Sequence, residues 1–177
     1  MESPTKVLSE EHKHILCVVD ALARECNALG SGKELDRTFF EKAIDFIRNY
    51  ADRFHHAKEE KILFAELCRP NARMHCNPVQ QMLYEHDLRR NFVRELEEGV
   101  RKGDRDKIVE SGLGYAALLR EHIFKEDNIL YPMADDALDP GIQRSMMERF
   151  EQAECERFSV GAKKKYLSIA EEFEKRG

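Results

Sequence analysis

Apolar residues recur along the chain at the three- and four-residue spacing of amphipathic helices. Four long series follow one another, and glycine, proline or asparagine lies at or near their ends. They predict helices over about residues 4–29, 36–67, 78–102 and 108–132. Short connections between long helices favour antiparallel neighbours. The pattern therefore predicts an all-α, up-down-up-down four-helix bundle.

A charged segment follows the bundle, beyond Asp139-Pro140-Gly141. It runs from about Ile142 to Lys175, with a break near Ser159–Gly161, and predicts one or two further packing helices. A chain of 177 residues is long enough for one sizeable core and too short for two. We expect a single domain over residues 1–177, with the bundle at about 8–136 and a C-terminal helical extension at about 140–177.

Composition and charge narrow the classes of function. Charged residues make up 36% of the chain, the formal net charge is -5 and the pI is about 5.9. A general affinity for nucleic acid is not expected, because phosphate binding needs a basic surface. The sequence has no run of about 18 to 20 apolar residues and no apolar core of a secretory signal near its start, so no membrane association and a cytoplasmic location are expected.

The five cysteines form no CxxC spacing, and their number is odd. Neither a disulfide framework nor a thiolate zinc site is indicated. We expect reduced thiols that are mostly small core residues.

The sequence repeats itself within the bundle. Residues 55–64 and 122–131 both read H-x-x-K-E-[ED]-x-I-L-aromatic, and they lie in the second and fourth predicted helices. A second echo pairs Glu11-His12 in the first helix with Glu85-His86 in the third. Alternate helices therefore resemble each other.

The spacing in these repeats places polar residues among apolar ones. At about 100° per residue, positions i and i+4 lie about 40° apart on a helix, so His55 and Glu59 share a face, as do His122 and Glu126. The first pair lies on the side of four apolar residues, Ile44, Ile47, Ala51 and Ile62, and the second on the side of Tyr115, Leu118, Ile129 and Met133. His12 and His86 also lie on apolar faces, so each helix directs a histidine inward.

Buried imidazoles and carboxylates are costly unless they are paired or bind cations. A single inward histidine is more often a hydrogen-bonded core residue than a ligand. Four of them with two carboxylates in one core are not expected by chance, and they predict a divalent metal site in which carboxylates can bridge two ions. Glu60 and Asp127 lie about 100° further round and are expected at the surface.

The chain resembles the hemerythrin family, in its branch of HHE cation-binding domains, over about residues 8–136. The matching words are SEEHKHIL, FHHAKEEKILF, MLYEHDLRR and LREHIFKEDNILYPMAD. The resemblance implies a set of metal ligands, which are His12, His55, Glu59, His86, His122 and Glu126. It also implies that Glu59 and Glu126 bridge the two metals.

Two departures separate this chain from respiratory hemerythrins. Their third helix carries a second histidine four residues from the first, whereas this chain has Arg90 and Met82 at those positions. His56 can supply the missing nitrogen, since some relatives of this branch have a ligand at that position. Alternatively, it lies at a helix interface. The bridging residue of the fourth helix is Glu126 rather than aspartate. Reversible oxygen carriage is therefore not implied.

Three further residues are of types that could belong to the site. His14 lies about 200° from His12 and is expected to be exposed. His75 lies in the loop before Pro78 and is expected in solvent. Tyr115 lies two turns before His122 on the same face, where it is either a hydrogen-bond donor behind the ligands or an aromatic core residue.

These residues predict a protein with two non-haem iron ions that binds or senses O2, NO or a related small ligand, or iron itself. Zinc or another divalent metal can occupy such a site in a purified sample. The alternative is a di-iron enzyme acting on peroxide or nitric oxide. Ferritin-like oxidases use Glu-x-x-His in carboxylate-dominated sites, whereas the candidate ligands here read His-x-x-x-Glu with more nitrogen than oxygen donors, which lowers the expectation of ferroxidase chemistry. No particular protein partner is indicated.

Overall fold

The computed structural model describes residues 3–70, 78–158 and 161–176, and the regular structure within them is helical. The α-helices and the interspersed π-helical segments are α1 Pro4–Gly30, α2 Arg37–Phe46, π1 Ile47–His56, π2 Glu59–Leu63, α3 Phe64–Leu67, α4 Val79–Lys102, α5 Arg105–Lys125, π3 Glu126–Leu130, α6 Tyr131–Ala137, α7 Pro140–Arg157 and α8 Ala162–Glu174. The run from α2 to α3 is one continuous second bundle helix, and the run from α5 to α6 is the fourth. The predicted all-α bundle with extra C-terminal helices is confirmed.

The core shows how the four bundle helices alternate in direction. One apolar cluster joins the start of α1 at Leu8, the end of the second helix at Leu63, the start of α4 at Met82 and the end of the fourth helix at Leu130. The other cluster gathers the opposite halves of the same helices. The starts of the first and third helices therefore lie beside the ends of the second and fourth, which is the up-down-up-down arrangement.

Capping explains why the predicted boundaries are close to the observed ones. The side chains of Ser3 and Asp36 accept hydrogen bonds from the first turns of α1 and α2, and Pro4 occupies the first position of α1. Gly103 ends α4 in the left-handed conformation, with φ 71°.

The fourth bundle helix departs from its prediction. Closure around Tyr131-Pro132 is wrong, because the chain continues as helix to Ala137. In π3 the N–H of Tyr131 donates to the carbonyl of Glu126, five residues earlier, so the backbone is wider there. Ile129 is 50% exposed rather than inward, while Tyr131 is buried.

Gly112 explains how α1 and α5 come close together. A Cβ at this position would lie 2.4 Å from Sγ of Cys26, so even alanine would force a rearrangement. Glycine costs helix propensity, yet α5 runs through it without a break.

The C-terminal extension closes both ends of the core. Met146 and Phe150 of α7 join the first cluster, and Phe173 of α8 stacks on Phe39 with ring centroids 4.6 Å apart. The break falls between Arg157 and Ala162, and part of it, residues 159–160, lies outside the described residues.

The cysteine expectation is only partly right. Cys26 is buried, Cys17 is half-buried, and Cys68 and Cys155 are exposed, so these thiols are not mostly core residues. Cys76 lies outside the described residues. Among the helices that the structure describes, none is long and apolar enough to cross a membrane.

Candidate metal centre

A polar centre separates the two apolar clusters. All four bundle helices contribute buried side chains to it. His55, His56 and Glu59 lie in or next to the π-helical part of the second helix, and Glu126 begins that of the fourth. Wider turns of this kind are frequent at functional sites.

The seven residues predicted as ligands all come together here. Their ligand atoms form three groups, in each of which the atoms lie within 4.8 Å of one another. The groups are His12, His55, Glu59 and Glu126; then His56, Glu59 and His86; then His86, His122 and Glu126. Glu59, Glu126 and His86 each belong to two groups, and of these a carboxylate can bridge two ions through its two oxygens, whereas one imidazole nitrogen binds one ion.

The imidazole Nε2 atoms face the middle of the centre. Nε2 of His122 lies 2.7 Å from Oε1 of Glu126, and Nε2 of His12 lies 3.3 Å from Oε2 of the same carboxylate. Nε2 of His86 and Nε2 of His122 are 3.2 Å apart. Two such nitrogens can share one proton, or both lone pairs can bind a cation.

Several buried atoms of the centre have no hydrogen-bond partner. Within the described part of the chain these are Nε2 of His55 and Oε2 of Glu59, while the two oxygens of Glu126 lie against the imidazole nitrogens of His12 and His122. Unpaired buried polar groups are costly, and burial together with the charge of Glu126 raises the pKa of Glu59. A cation would remove both penalties, so the donor set fits a metal.

Carboxylates hold the outer nitrogen of the histidines. In four of the five histidines of the centre Nδ1 pairs with an acid on another helix: His12 with Asp127 (2.9 Å), His55 with Glu11 (2.9 Å), His86 with Glu60 (2.6 Å) and His122 with Glu85 (2.6 Å). Such partners fix the ring orientation and make the inner nitrogen a better ligand.

The expected surface position of Glu60 and Asp127 is therefore wrong. Their side chains are 24% and 28% exposed, and both bond a histidine of a neighbouring helix. Although burial lowers the pKa of His12, hydrogen bonds to Asp127 and Glu126 outweigh it and raise the pKa to about 10. The two acids take part in the centre without facing its middle.

The sequence repeat becomes an approximate twofold symmetry in space. Lys58 donates to Glu11 behind His55, and Lys125 donates to Glu85 behind His122 (2.5 Å). The lysine of the H-x-x-K-E motif thus anchors the carboxylate that orients the histidine of the same motif.

We expect Glu60→Gln and Glu85→Gln to weaken metal binding about 10- to 100-fold, because loss of such an outer partner leaves a ligand histidine poorly oriented. The measurement is a competition titration with a metal chelator. Glu95→Gln is the matched control, since Glu95 is an exposed glutamate of α4. Equal affinities in all three variants would show that these carboxylates do not support the site.

Tyr131 belongs to the centre, and the sequence did not indicate it. Its hydroxyl donates to Oε1 of Glu59 (2.6 Å) and lies 3.4 Å from Nε2 of His12, and its ring stacks on that imidazole 5.6 Å away. The available signal was the aromatic position of the repeat, where the second helix has Phe64. The tyrosine hydroxyl is therefore found on one side of the centre, and the equivalent Phe64 has none.

Tyr115 and Arg89 line the other side. Both are buried, and the hydroxyl of Tyr115 and the three guanidinium nitrogens of Arg89 have no hydrogen-bond partner among the described residues. Tyr115 thus does not donate to a ligand histidine, although it lies behind the centre as predicted. Arg89 follows His86 by three residues and precedes Val93 by four, so this spacing was the available signal that it lies on the inward face.

His56 lies at the centre and not in solvent. It is 4% exposed, its ring stacks on His86 with centroids 4.4 Å apart, and Nδ1 lies 3.4 Å from Asp52. Burial lowers its pKa well below the usual value, and the charge of Arg89 acts in the same direction. Its role as a ligand stays a prediction.

His14 lies apart from the three groups of candidate ligands. His14 is half-buried rather than exposed, with its ring 6.4 Å from that of Tyr50, and it belongs to none of the three groups. His75 lies outside the described residues. In the first helix it is His12 that joins the centre.

Comparison of the sequence with known protein families also indicates a cation-binding domain. The sequence model of the family described as the hemerythrin HHE cation binding domain matches residues 3–134. A comparison with curated proteins gave no significant match, and one with solved structures gave none either. The match covers the first three bundle helices, the fourth as far as residue 134, and all seven candidate ligands.

Proposed function

We propose, because the chain belongs to the hemerythrin HHE cation-binding family, that its centre holds two non-haem iron ions and that the protein binds or senses O2, NO or a related small ligand. The observation that carries this proposal is the sharing of Glu59 and Glu126 between groups of buried histidines. Shared carboxylates suit two neighbouring ions better than one.

The donor types favour iron. The candidate groups contain imidazole and carboxylate, and no cysteine. Zinc prefers four ligands and is often held by thiolates in structural sites, whereas this mixture of nitrogen and oxygen donors suits metals of higher coordination number. Bound iron would supply redox chemistry and coordination positions for small ligands.

The two sides of the centre differ in their residues. His12 and His55 stand on one side, with the Tyr131 hydroxyl between Glu59 and His12. The other side has His86 and His122, and His56 stacks on His86. We infer that the first side keeps room for a ligand and that Tyr131 orients Glu59 there.

A pocket leads from the surface to the second side, so a small molecule that enters it meets His56 and His86 before the first side. Its volume is about 430 Å³, and its lining includes the exposed Asp87 and Asn91 as well as the buried His56 and His86. Surface and centre are therefore connected through it.

The direct test is titration of the reduced, anaerobic protein with O2 and with NO, followed by optical and electron paramagnetic resonance spectra. Saturable uptake with one ligand per centre supports the proposal. Catalytic consumption of peroxide or NO would instead indicate the di-iron enzyme. A centre that changes only the melting temperature, and responds to no gas, would indicate iron sensing.

We expect His56→Ala to weaken metal retention on the second side, because this side would lose one of three imidazoles. The measurement is iron counting with oxygen titration of the reduced protein, with His14→Ala as the control outside the centre. If His56 is a ligand, simple O2 uptake in the wild type is hindered relative to respiratory hemerythrins. Unchanged iron content in His56→Ala, together with rapid reversible O2 uptake by the wild type, would reject the extra ligand.

A further inference from the structure

Arg89 is a buried charge for which the described protein supplies no hydrogen-bond partner. Its side chain is 2% exposed, and none of its three guanidinium nitrogens has a hydrogen-bond partner in the described chain. Guanidinium groups are strongly disfavoured in such places unless they meet an anion. The nearby acids Glu59 and Glu126 belong to the three groups of candidate metal ligands, so their oxygens face the centre.

Tyr115 stands beside Arg89 in the same pocket. Its hydroxyl has no hydrogen-bond partner in the described part of the chain, although buried tyrosine hydroxyls usually find one. Burial raises its pKa, while the charge of Arg89 acts in the opposite direction, so the two groups lie within electrostatic reach of each other. The guanidinium of Arg89 and the hydroxyl of Tyr115 thus line the same pocket without a hydrogen-bond partner among the described residues.

The other arginines of the pocket are already engaged. Arg48 makes two hydrogen bonds to Glu97, both 2.6 Å. Arg90 bonds Asp52 and Glu60, and Arg94 bonds Asn91. Arg89 is therefore the lining arginine whose donors remain available, deep beside His56 and His86.

The fold does not require an arginine at this position. Arg89 follows His86 by three residues, and the matching residue of α1, three after His12, is the buried apolar Ile15. The bundle therefore accommodates an apolar side chain at the related place. The exchange breaks the internal symmetry on the side that the pocket reaches.

We propose that this pocket binds the carboxylate of a small organic acid, held by parallel N–H donors of Arg89 and by the hydroxyl of Tyr115. The planar guanidinium matches a carboxylate with two parallel hydrogen bonds. A cavity of about 430 Å³ has room for a small molecule behind that group. The bound anion would offset the positive charge of Arg89 next to the cation centre.

The test uses acetate as the probe and the full chain as purified, in calorimetric titrations at ionic strength held constant with chloride. We expect saturable binding of one acetate per chain. Tyr115→Phe and Arg89→Lys should each weaken it about tenfold or more, because each removes hydrogen bonds to a charged group. Arg94→Gln, at the exposed rim of the same pocket, should change it less than about threefold.

Metal content and circular dichroism of each variant show that the bundle and its centre are intact. Acetate bound only to the metal would not respond to Tyr115→Phe. Acetate affinity unchanged in Tyr115→Phe and Arg89→Lys, or no saturable binding by the wild type, would overturn the proposal. Neither result depends on which metal is bound or on gas binding, so the proposed function would stand or fall separately.

Discussion

Glu59→Ala and Glu126→Ala proteins are expected to retain little of their bound metal. Both carboxylates are fully buried, and each belongs to two of the three ligand groups. Removing either one takes an oxygen donor from both sides of the centre at once. The measurement is elemental analysis of the purified variants by mass spectrometry.

Glu110→Ala is the matched control, because Glu110 is an exposed glutamate on the same continuous helix as Glu126. It should keep the metal content of the wild type. Tyr131→Phe offers a second comparison, since it removes the hydrogen bond to Glu59 and leaves every ligand in place. Wild-type metal content in Glu59→Ala or Glu126→Ala would refute the bridging role.

Removal of metal by a chelator is expected to lower the melting temperature by about 10 °C or more. Without a cation, Glu59 and Glu126 are two buried carboxylates without full partners, and breaking a buried charge pairing costs about 3 to 5 kcal/mol. For a chain of this size that corresponds to roughly 6 to 20 °C.

Thermal unfolding followed by circular dichroism, before and after chelation, measures this change. Adding ferrous iron back under anaerobic conditions should restore the original melting temperature. An unchanged melting temperature after complete metal removal would mean that the centre is not coupled to folding.

The helices could be predicted from the sequence because their signals are local. Caps such as Ser3 and Asp36, and Gly103 at the end of α4, lie next to the boundaries they set. The prediction failed where the backbone widens. A wheel of about 100° per residue placed Ile129 inside, whereas the i to i+5 turn from Glu126 brings Tyr131 there.

The candidate ligands of the centre could be predicted from the sequence, and the carboxylates that bond the outer nitrogens of the histidines could not. His55 with Glu59, and His122 with Glu126, share a face within one helix, so their spacing indicates their direction. The bonds from Glu60 to His86 and from Asp127 to His12 join different helices. A wheel of one helix carries no information about the partner that another helix presents.

The repeat predicted the symmetry of the centre, but not the differences between its two sides. The two copies differ at five of their ten positions, and at two of these the difference bears on the centre, since Tyr131 corresponds to Phe64 and His56 to Ile123. These differences make the two sides unequal, with a hydroxyl on one and an additional imidazole on the other. Small changes in a duplicated pattern thus make the surroundings of the two sides different.

Metal analysis of the aerobically purified protein, combined with its ultraviolet and visible spectrum, tests the central claim most directly. We expect two iron ions per chain and the near-ultraviolet absorption of ferric iron, which zinc does not show. A colourless protein that contains only zinc, or less than one transition-metal ion per chain, would contradict the di-iron centre.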